Sequence, residues 1–193
     1  ATVYSRALLG IQALEVTVET HLSAGLPGFA IVGLPETAVK ESKERVRSAI
    51  LNSGLVFPAQ RITVNLAPAD IPKAGGRYDL AIALGILAAS GQIPEAKLAQ
   101  LKDQEVLGEL ALDGEVRPVQ GALPAILAAQ RAGRGILLPA GNGDEIALAG
   151  FHRARCVRHL NHYIDHLVNN TDLPGSNAGE GQAASSRRKE KRK

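Results

Sequence analysis

Apolar and polar residues alternate at several places along the chain, and the period of that alternation predicts its elements. Leu14, Val16 and Val18 alternate with Glu15, Thr17 and Glu19, as in a strand with one wet face. Ile62, Val64 and Leu66 alternate in the same way with Arg61, Thr63 and Asn65. Residues 29–32 form a short apolar run between glycines, which predicts a buried strand. Residues 105–110, 135–138 and 155–157 predict three further strands. Elsewhere the period lengthens to that of a helix. Over residues 37–52, Val39, Val46 and Ile50 share one face, Lys40, Lys43, Glu44 and Arg47 lie mostly on the other, and Gly54 is a stop signal. Residues 78–89 are apolar nearly all round, which predicts a buried helix. Further helices are expected over residues 120–132, 144–149 and 159–168. Strands in groups with helices between them predict a single mixed α/β (α+β) layer fold, not a helical bundle or a β-sandwich.

The pattern stops near Thr171. Residues 171–193 are rich in Gly, Ser, Asn and Ala and end in a basic block, so they are expected to form a disordered linker or tail after a folded domain of residues 1–170. That block changes the reading of charge. Residues 187–193 hold six Lys/Arg and one Glu, a net of +5, whereas the whole chain is +3, so residues 1–186 sum to −2. The folded part is not basic, and any case for nucleic acid rests on local patches. Of the 193 residues 45% are hydrophobic and 21% charged, as in a soluble globular protein. No apolar run approaches the roughly 18 residues of a membrane span, and no secretory leader opens the chain, so a cytoplasmic location is expected. One cysteine, Cys156, excludes an internal disulfide.

Candidate chemistry is sparse. No GxxxxGK[ST] motif is present, and Gly25, Gly28 and Gly33 form no GxGxxG, so the chain itself is not expected to hydrolyse ATP. His159, His162 and His166 stand at helical spacing near Asp165; a solvated helix face explains them better than a metal site. Cys156 reads as a buried structural residue. The stretch PKAGGRYD, residues 72–79, leads from a glycine turn into the buried helix. Backbone amides there, with Lys73 and Arg77, could hold an anion; alternatively Asp79 serves the helix start by capping. Lys40, Lys43, Arg45 and Arg47 cluster on the first of the expected helices, and Lys40, Lys43 and Arg47 are candidate DNA contacts, although Glu36, Glu41 and Glu44 are interleaved with them. With three Phe, three Tyr and no Trp, a stacking surface for single strands is not expected.

Four strings carry a resemblance: VYSRALLG (3–10), GLPGFAIVGLPETAVKESKERVRSAILNSG (25–54), RITVNLAPADIPKAGGRYDLAIALGILAASGQI (61–93) and GELALDGEVRPVQGALPAILAAQRAG (108–133). They are similar to the amino-terminal domain of the magnesium-chelatase-like AAA+ ATPases of the YifB/ComM family, over nearly all of residues 1–168. The resemblance implies a Lon-proteolytic-domain-like fold of the ribosomal protein S5 domain 2 type. It also implies a downstream ATPase module using ATP and Mg, a hexameric ring, and DNA helicase activity with branch migration in the ComM branch.

Lon-type peptidases use a Ser–Lys dyad. In the matching turn Arg77 stands at the serine's place, and in PVQGALPAIL Ala125 stands at or near the lysine's. The resemblance therefore implies a non-catalytic domain without cofactor, assisting ring assembly or guiding DNA. The rival readings are a protein-interaction module that does not touch DNA and, less favoured, a Lon-type peptidase.

Overall fold

A computed structural model describes residues 1–33 and 36–175. The expected strand at residues 14–19 is the middle of a longer one, β2 (Gln12–Ser23). It forms a hairpin with β1 (Thr2–Leu9), which the alternation did not announce. In β1 the buried positions include Ser5 and Arg6, so polarity masks a strand at the centre of the sheet. Both polar groups are satisfied by a distant strand, β5 (Gln104–Val106). Ser5 Oγ donates to Val106 O at 2.7 Å, and Arg6 donates two hydrogen bonds to the Glu105 carboxylate.

The remaining strands of the main sheet are β3 (Gly28–Val32), β4 (Arg61–Ala67), β8 (Gly135–Pro139) and β9 (Ala154–Val157). Their order is β3-β4-β2-β1-β5-β8-β9. The pairs β1–β2 and β2–β4 are antiparallel; β3–β4, β1–β5, β5–β8 and β8–β9 are parallel. The expected strand at 105–110 divides into β5 and β6 (Glu109–Leu110). The latter pairs with β7 (Val116–Arg117) in a separate ribbon.

Helices lie on both faces. Along β8, Leu137 joins one apolar cluster while Ile136 and Leu138 join another, because successive side chains point to opposite faces. The first cluster is built around α3 (Asp79–Ala89), whose residues Asp79 to Leu87 are all buried, as its composition predicted. The second is built around α5 (Ala122–Arg131) and α6 (Gly143–Ala149). A short α4 (Leu98–Lys102) precedes β5. The last helix, α7 (Leu160–Asn169), packs Leu160, Tyr163 and Leu167 into the first cluster.

Two expectations need correction. The single helix over residues 37–52 is two: α1 (Thr37–Lys40) and α2 (Ser42–Asn52). In an unbroken helix Ala38 O would take the Ser42 N–H; here it accepts Arg45 Nη2 at 2.8 Å. Nor do residues 171–175 behave as a tail. Leu173 packs on the first cluster, Cys156 N donates to Pro174 O at 2.9 Å, and Gly175 bridges to Arg155, so this segment covers the outer edge of β9. Residues 176–193, with the basic block, lie outside the described residues.

Candidate functional site

The turn at residues 72–78 is held by the chain on both sides. Gly108 N donates to Arg77 O at 2.9 Å, and Leu80 N donates to Gly108 O at 3.0 Å. Gly76 is pressed against Glu109: a Cβ there would lie 2.6 Å from Oε2 and 2.7 Å from Cγ, so a side chain would have to push the Glu109 side chain aside.

The two cations of this turn go opposite ways. Lys73 is fully buried, and its ammonium donates to Gly33 O at 3.0 Å and to Pro68 O. Burial pulls that ammonium below its ordinary value, partly offset by Asp70. Lys73 thus ties two loops together and faces inward, so it is withdrawn as an anion contact. Arg77 instead lines a cavity of 430 Å³ together with Leu8, Gly75, Tyr78, Glu109 and Gln120. Its Nε and Nη2 are buried and have no hydrogen-bond partner among the described residues. Burial holds its guanidinium below its usual value. Ala125 is fully buried in α5 within the second apolar cluster.

Asp79 does not cap its helix. Its carboxylate is fully buried and accepts from Arg45 Nε at 2.7 Å, Arg45 Nη2 at 3.3 Å and Leu110 N at 3.1 Å. Burial pushes this carboxyl up, and the Arg45 and Ser42 bonds pull it back. The pair pins α2 to the start of α3 and removes Arg45 from the surface cluster. Nothing in the sequence distinguishes Arg45 from its neighbours except that it lies one residue from Val46 on the buried face.

Tyr78 is also fully buried, its hydroxyl has no partner among the described residues, and burial raises it to about 12. Because the folded value lies above the unfolded one of about 10, stability from this group is complete below pH 10 and is lost as pH rises toward 12. We expect wild type to lose about 2–3 kcal/mol more than Tyr78→Phe between about pH 9 and 12 in urea melts. Equal losses would contradict a buried phenol.

The other candidates lie apart from this cavity. Lys40 and Arg47 are exposed and Lys43 half-buried; Lys43 and Arg47 border a separate groove beside β3, where the Arg47 guanidinium lies 5.9 Å from the centre of the Phe57 ring. His159 and His166 are engaged in structure. His159 Nδ1 accepts from Asn161 N at 3.0 Å, which leaves Nε2 to donate to Asp113 O at 2.8 Å. His166 bonds Thr171 O through Nδ1 and stacks on Tyr163. Among the described residues, no group of three His, Cys, Asp or Glu, His162 included, is placed to hold a metal. Cys156 is buried on β9, where burial raises its thiol against a smaller effect of Arg158.

A mixed sheet flanked by helices, with a glycine turn opening onto a cavity at the start of a buried helix, defines a mixed α/β domain and is consistent with the Lon-like fold that the resemblance implies. The family described as subunit ChlI of Mg-chelatase matches residues 18–142, and the chain belongs to this magnesium-chelatase-like family. The chain is 50% identical over 174 residues to the competence protein ComM of Haemophilus influenzae, covering 90% of this chain and 34% of that protein. It is 51% identical over 158 residues to YifB of Escherichia coli, covering 82% and 31% respectively. A Lon protease of Trichlorobacter lovleyi is 28% identical over 137 residues, 67% of this chain and 16% of the protease. The chain therefore spans about a third of the length of the ComM and YifB relatives it matches. Among the described residues no helix is long and apolar enough to cross a membrane.

Proposed function

We propose that this chain is the non-catalytic amino-terminal domain of a hexameric, cytoplasmic AAA+ DNA motor of the ComM type, assisting ring assembly or guiding DNA during branch migration. ATP and Mg would belong to the ATPase module further along the protein. The observation that carries the reading is the pair Arg77 and Ala125 in a retained Lon-like fold. Neither supplies a hydroxyl or a free amine, so a nucleophile and its base are both missing and peptide hydrolysis has no means of starting. A casein assay is expected to give no turnover.

DNA guidance is assigned to Lys40, Lys43 and Arg47. The test compares residues 1–193 with residues 1–175 across a salt titration, since the segment 171–175 is needed to cover β9. The shorter chain is expected to keep salt-dependent binding. Changing the three cations to Ala should lower the log–log salt slope by up to about 3, roughly 0.9 for each phosphate no longer neutralised. If only residues 1–193 bind, the basic block explains the binding and the second reading takes over, a protein-interaction module that does not touch DNA. That reading is favoured by a groove between the β1–β2 turn and α5, where Ile11 is 89% and Leu127 41% exposed.

A further inference from the structure

The two ends of the main sheet are finished differently. At one end the outer edge of β9 is covered by residues 171–175. At the other end β3 is the edge strand, and among the described residues it pairs with β4 alone. The direction of its backbone groups follows from the register. Gly28 stands opposite Arg61, and Gly28 N donates to Gln60 O at 3.4 Å. In a parallel ladder alternate residues turn both N–H and C=O toward the partner strand. Gly28, Ala30 and Val32 therefore face β4, and Phe29 and Ile31 present their N–H and C=O outward. Among the described residues nothing pairs with those outward groups. Edge strands are usually protected by a lysine, a proline, a bulge or a covering segment. The strand GFAIV has no charge and no proline, and its register with β4 runs from Gly28 to Val32 without a bulge.

A groove runs beside that edge. It is lined by Lys43, Glu44, Arg47 and Leu51 of α2, by Phe29 and by Phe57. Because α2 carries the chain back between the parallel strands β3 and β4, it runs against β3. Lys43 to Leu51 covers about 12 Å of helix beside roughly 13 Å of strand. Phe29 both lines the groove and offers an open ladder position. An edge strand with a groove beside it is the arrangement in which an extended peptide adds as a further strand. Ladder bonds then hold its backbone, and the groove reads its alternate side chains. The groove sets the chemistry of those side chains. Leu51 is 48% exposed, and with Phe29 and Phe57 it offers an apolar seat. Lys43 and Arg47 have no ion-pair partner among the described residues. Glu44 opposes one of these two cations, so a net positive charge remains. DNA fits less well. Phe57 already has the Phe29 ring at 5.8 Å, edge to face, and the Arg47 guanidinium at 5.9 Å. A DNA backbone also has no donor for the two outward carbonyls. We infer that the open edge of β3 and the groove beside α2 bind an extended segment of another polypeptide as a further strand. An apolar residue of that segment lies against Phe29 and Leu51, and an acidic residue two positions away meets Lys43 or Arg47. This goes beyond the motor reading and does not rest on it, and it concerns a different place from the groove beside Ile11.

The test is hydrogen exchange and NMR titration on residues 1–193. In the free protein the amides of Phe29 and Ile31 are expected to exchange faster than those of Ala30 and Val32, which are bonded to β4. The probe is Ser-Glu-Thr-Leu-Thr-Glu-Ser, acetylated and amidated at its ends, in which Glu, Leu and Glu share one face of a strand. It is expected to bind saturably and to slow exchange at Phe29 and Ile31 by roughly tenfold or more at saturation. Two further probes carry one N-methyl group each, on the central Leu or on the Thr after it. Neighbouring residues of a strand turn their N–H groups to opposite sides, so only one of the two methyl groups meets β3. One methylated probe should bind about tenfold or more weaker, and the other nearly as well as the parent. Gln in place of both Glu residues should weaken binding roughly three- to tenfold. Leu51→Asp in the protein should weaken it by about tenfold or more. Slow exchange at Phe29 and Ile31 in the free protein overturns the proposal, because the edge would already be covered. So do equal effects of the two methyl groups, equal binding of the Gln probe, or unchanged binding by Leu51→Asp. A thymidylate decamer that shifts the β3 amides at lower concentration than the parent peptide also overturns it and gives the groove to DNA. DNA guidance itself is read by the salt slope, which these peptides do not touch, so either reading can fail alone.

Discussion

Replacing Glu105 with Ala is expected to cost about 3–5 kcal/mol, enough to unfold a domain of ordinary stability. Glu105 is fully buried on β5 and accepts from Arg6 Nε at 2.6 Å, Arg6 Nη2 at 2.7 Å and Arg134 Nη1 at 3.3 Å. Arg134 has other support: it bonds Glu15 Oε1 at 2.9 Å and lies 3.8 Å from the centre of the Tyr4 ring. Arg6 has far less. It is 7% exposed, and without Glu105 it keeps only a bond to Ala13 O at 3.1 Å among the described residues. The loss therefore comes from a cation left inside the sheet more than from the attraction itself. That account makes a second, opposite forecast. Changing both partners together, Arg6→Met with Glu105→Leu, should recover most of the stability, because no charge is stranded. Urea melts of the two single variants and the double variant measure the coupling directly. A double variant as unstable as Glu105→Ala would mean that the pair itself holds β1 against β5.

The same residues explain what could and could not be read from the chain. β2 and β4 were legible because each has one wet face, and α3 because its buried surface is unbroken. β1 was not, since Ser5 and Arg6 stand at interior positions and their partners lie about a hundred residues away. A pattern rule scores each position alone and has no means of knowing that a buried Arg will be met by a buried Glu. The break between α1 and α2 has a similar origin in Arg45, which is drawn to Asp79 and takes a helical carbonyl on the way. At the candidate site the turn itself was legible from its glycines and charges. The fates of Lys73 and Arg77 were not. One is claimed by carbonyls of Gly33 and Pro68, and the other is left without a partner among the described residues, which only the packed chain decides.

Gly33→Ala should rank with Glu105→Ala in severity, at about 3–5 kcal/mol, although it adds only a methyl group. Gly33 has φ +104°, a conformation that side chains rarely adopt, and this alone costs about 1–2 kcal/mol. Its missing Cβ would also fall inside the carbonyl oxygen of Leu66 and 3.0 Å from the Leu66 carbonyl carbon. Those are backbone atoms of β4, a strand paired on both sides, so they cannot move aside as a flexible side chain would. Overpacking of that kind adds about 1–3 kcal/mol. The carbonyl of Gly33 is moreover an acceptor for the Lys73 ammonium, so any shift that relieves the clash weakens the bonding of a buried cation. Gly54→Ala separates these contributions. Gly54 also has positive φ, +72°, but nothing lies within 4 Å of its would-be Cβ. It is expected to lose about 1 kcal/mol, the conformational part alone. Denaturant melts of the two variants side by side give the difference. A gap of at least about 2 kcal/mol assigns the excess to the β4 backbone and the Lys73 anchor. Equal losses would mean that the loop before α1 yields freely, and that Lys73 keeps its acceptors by moving with it.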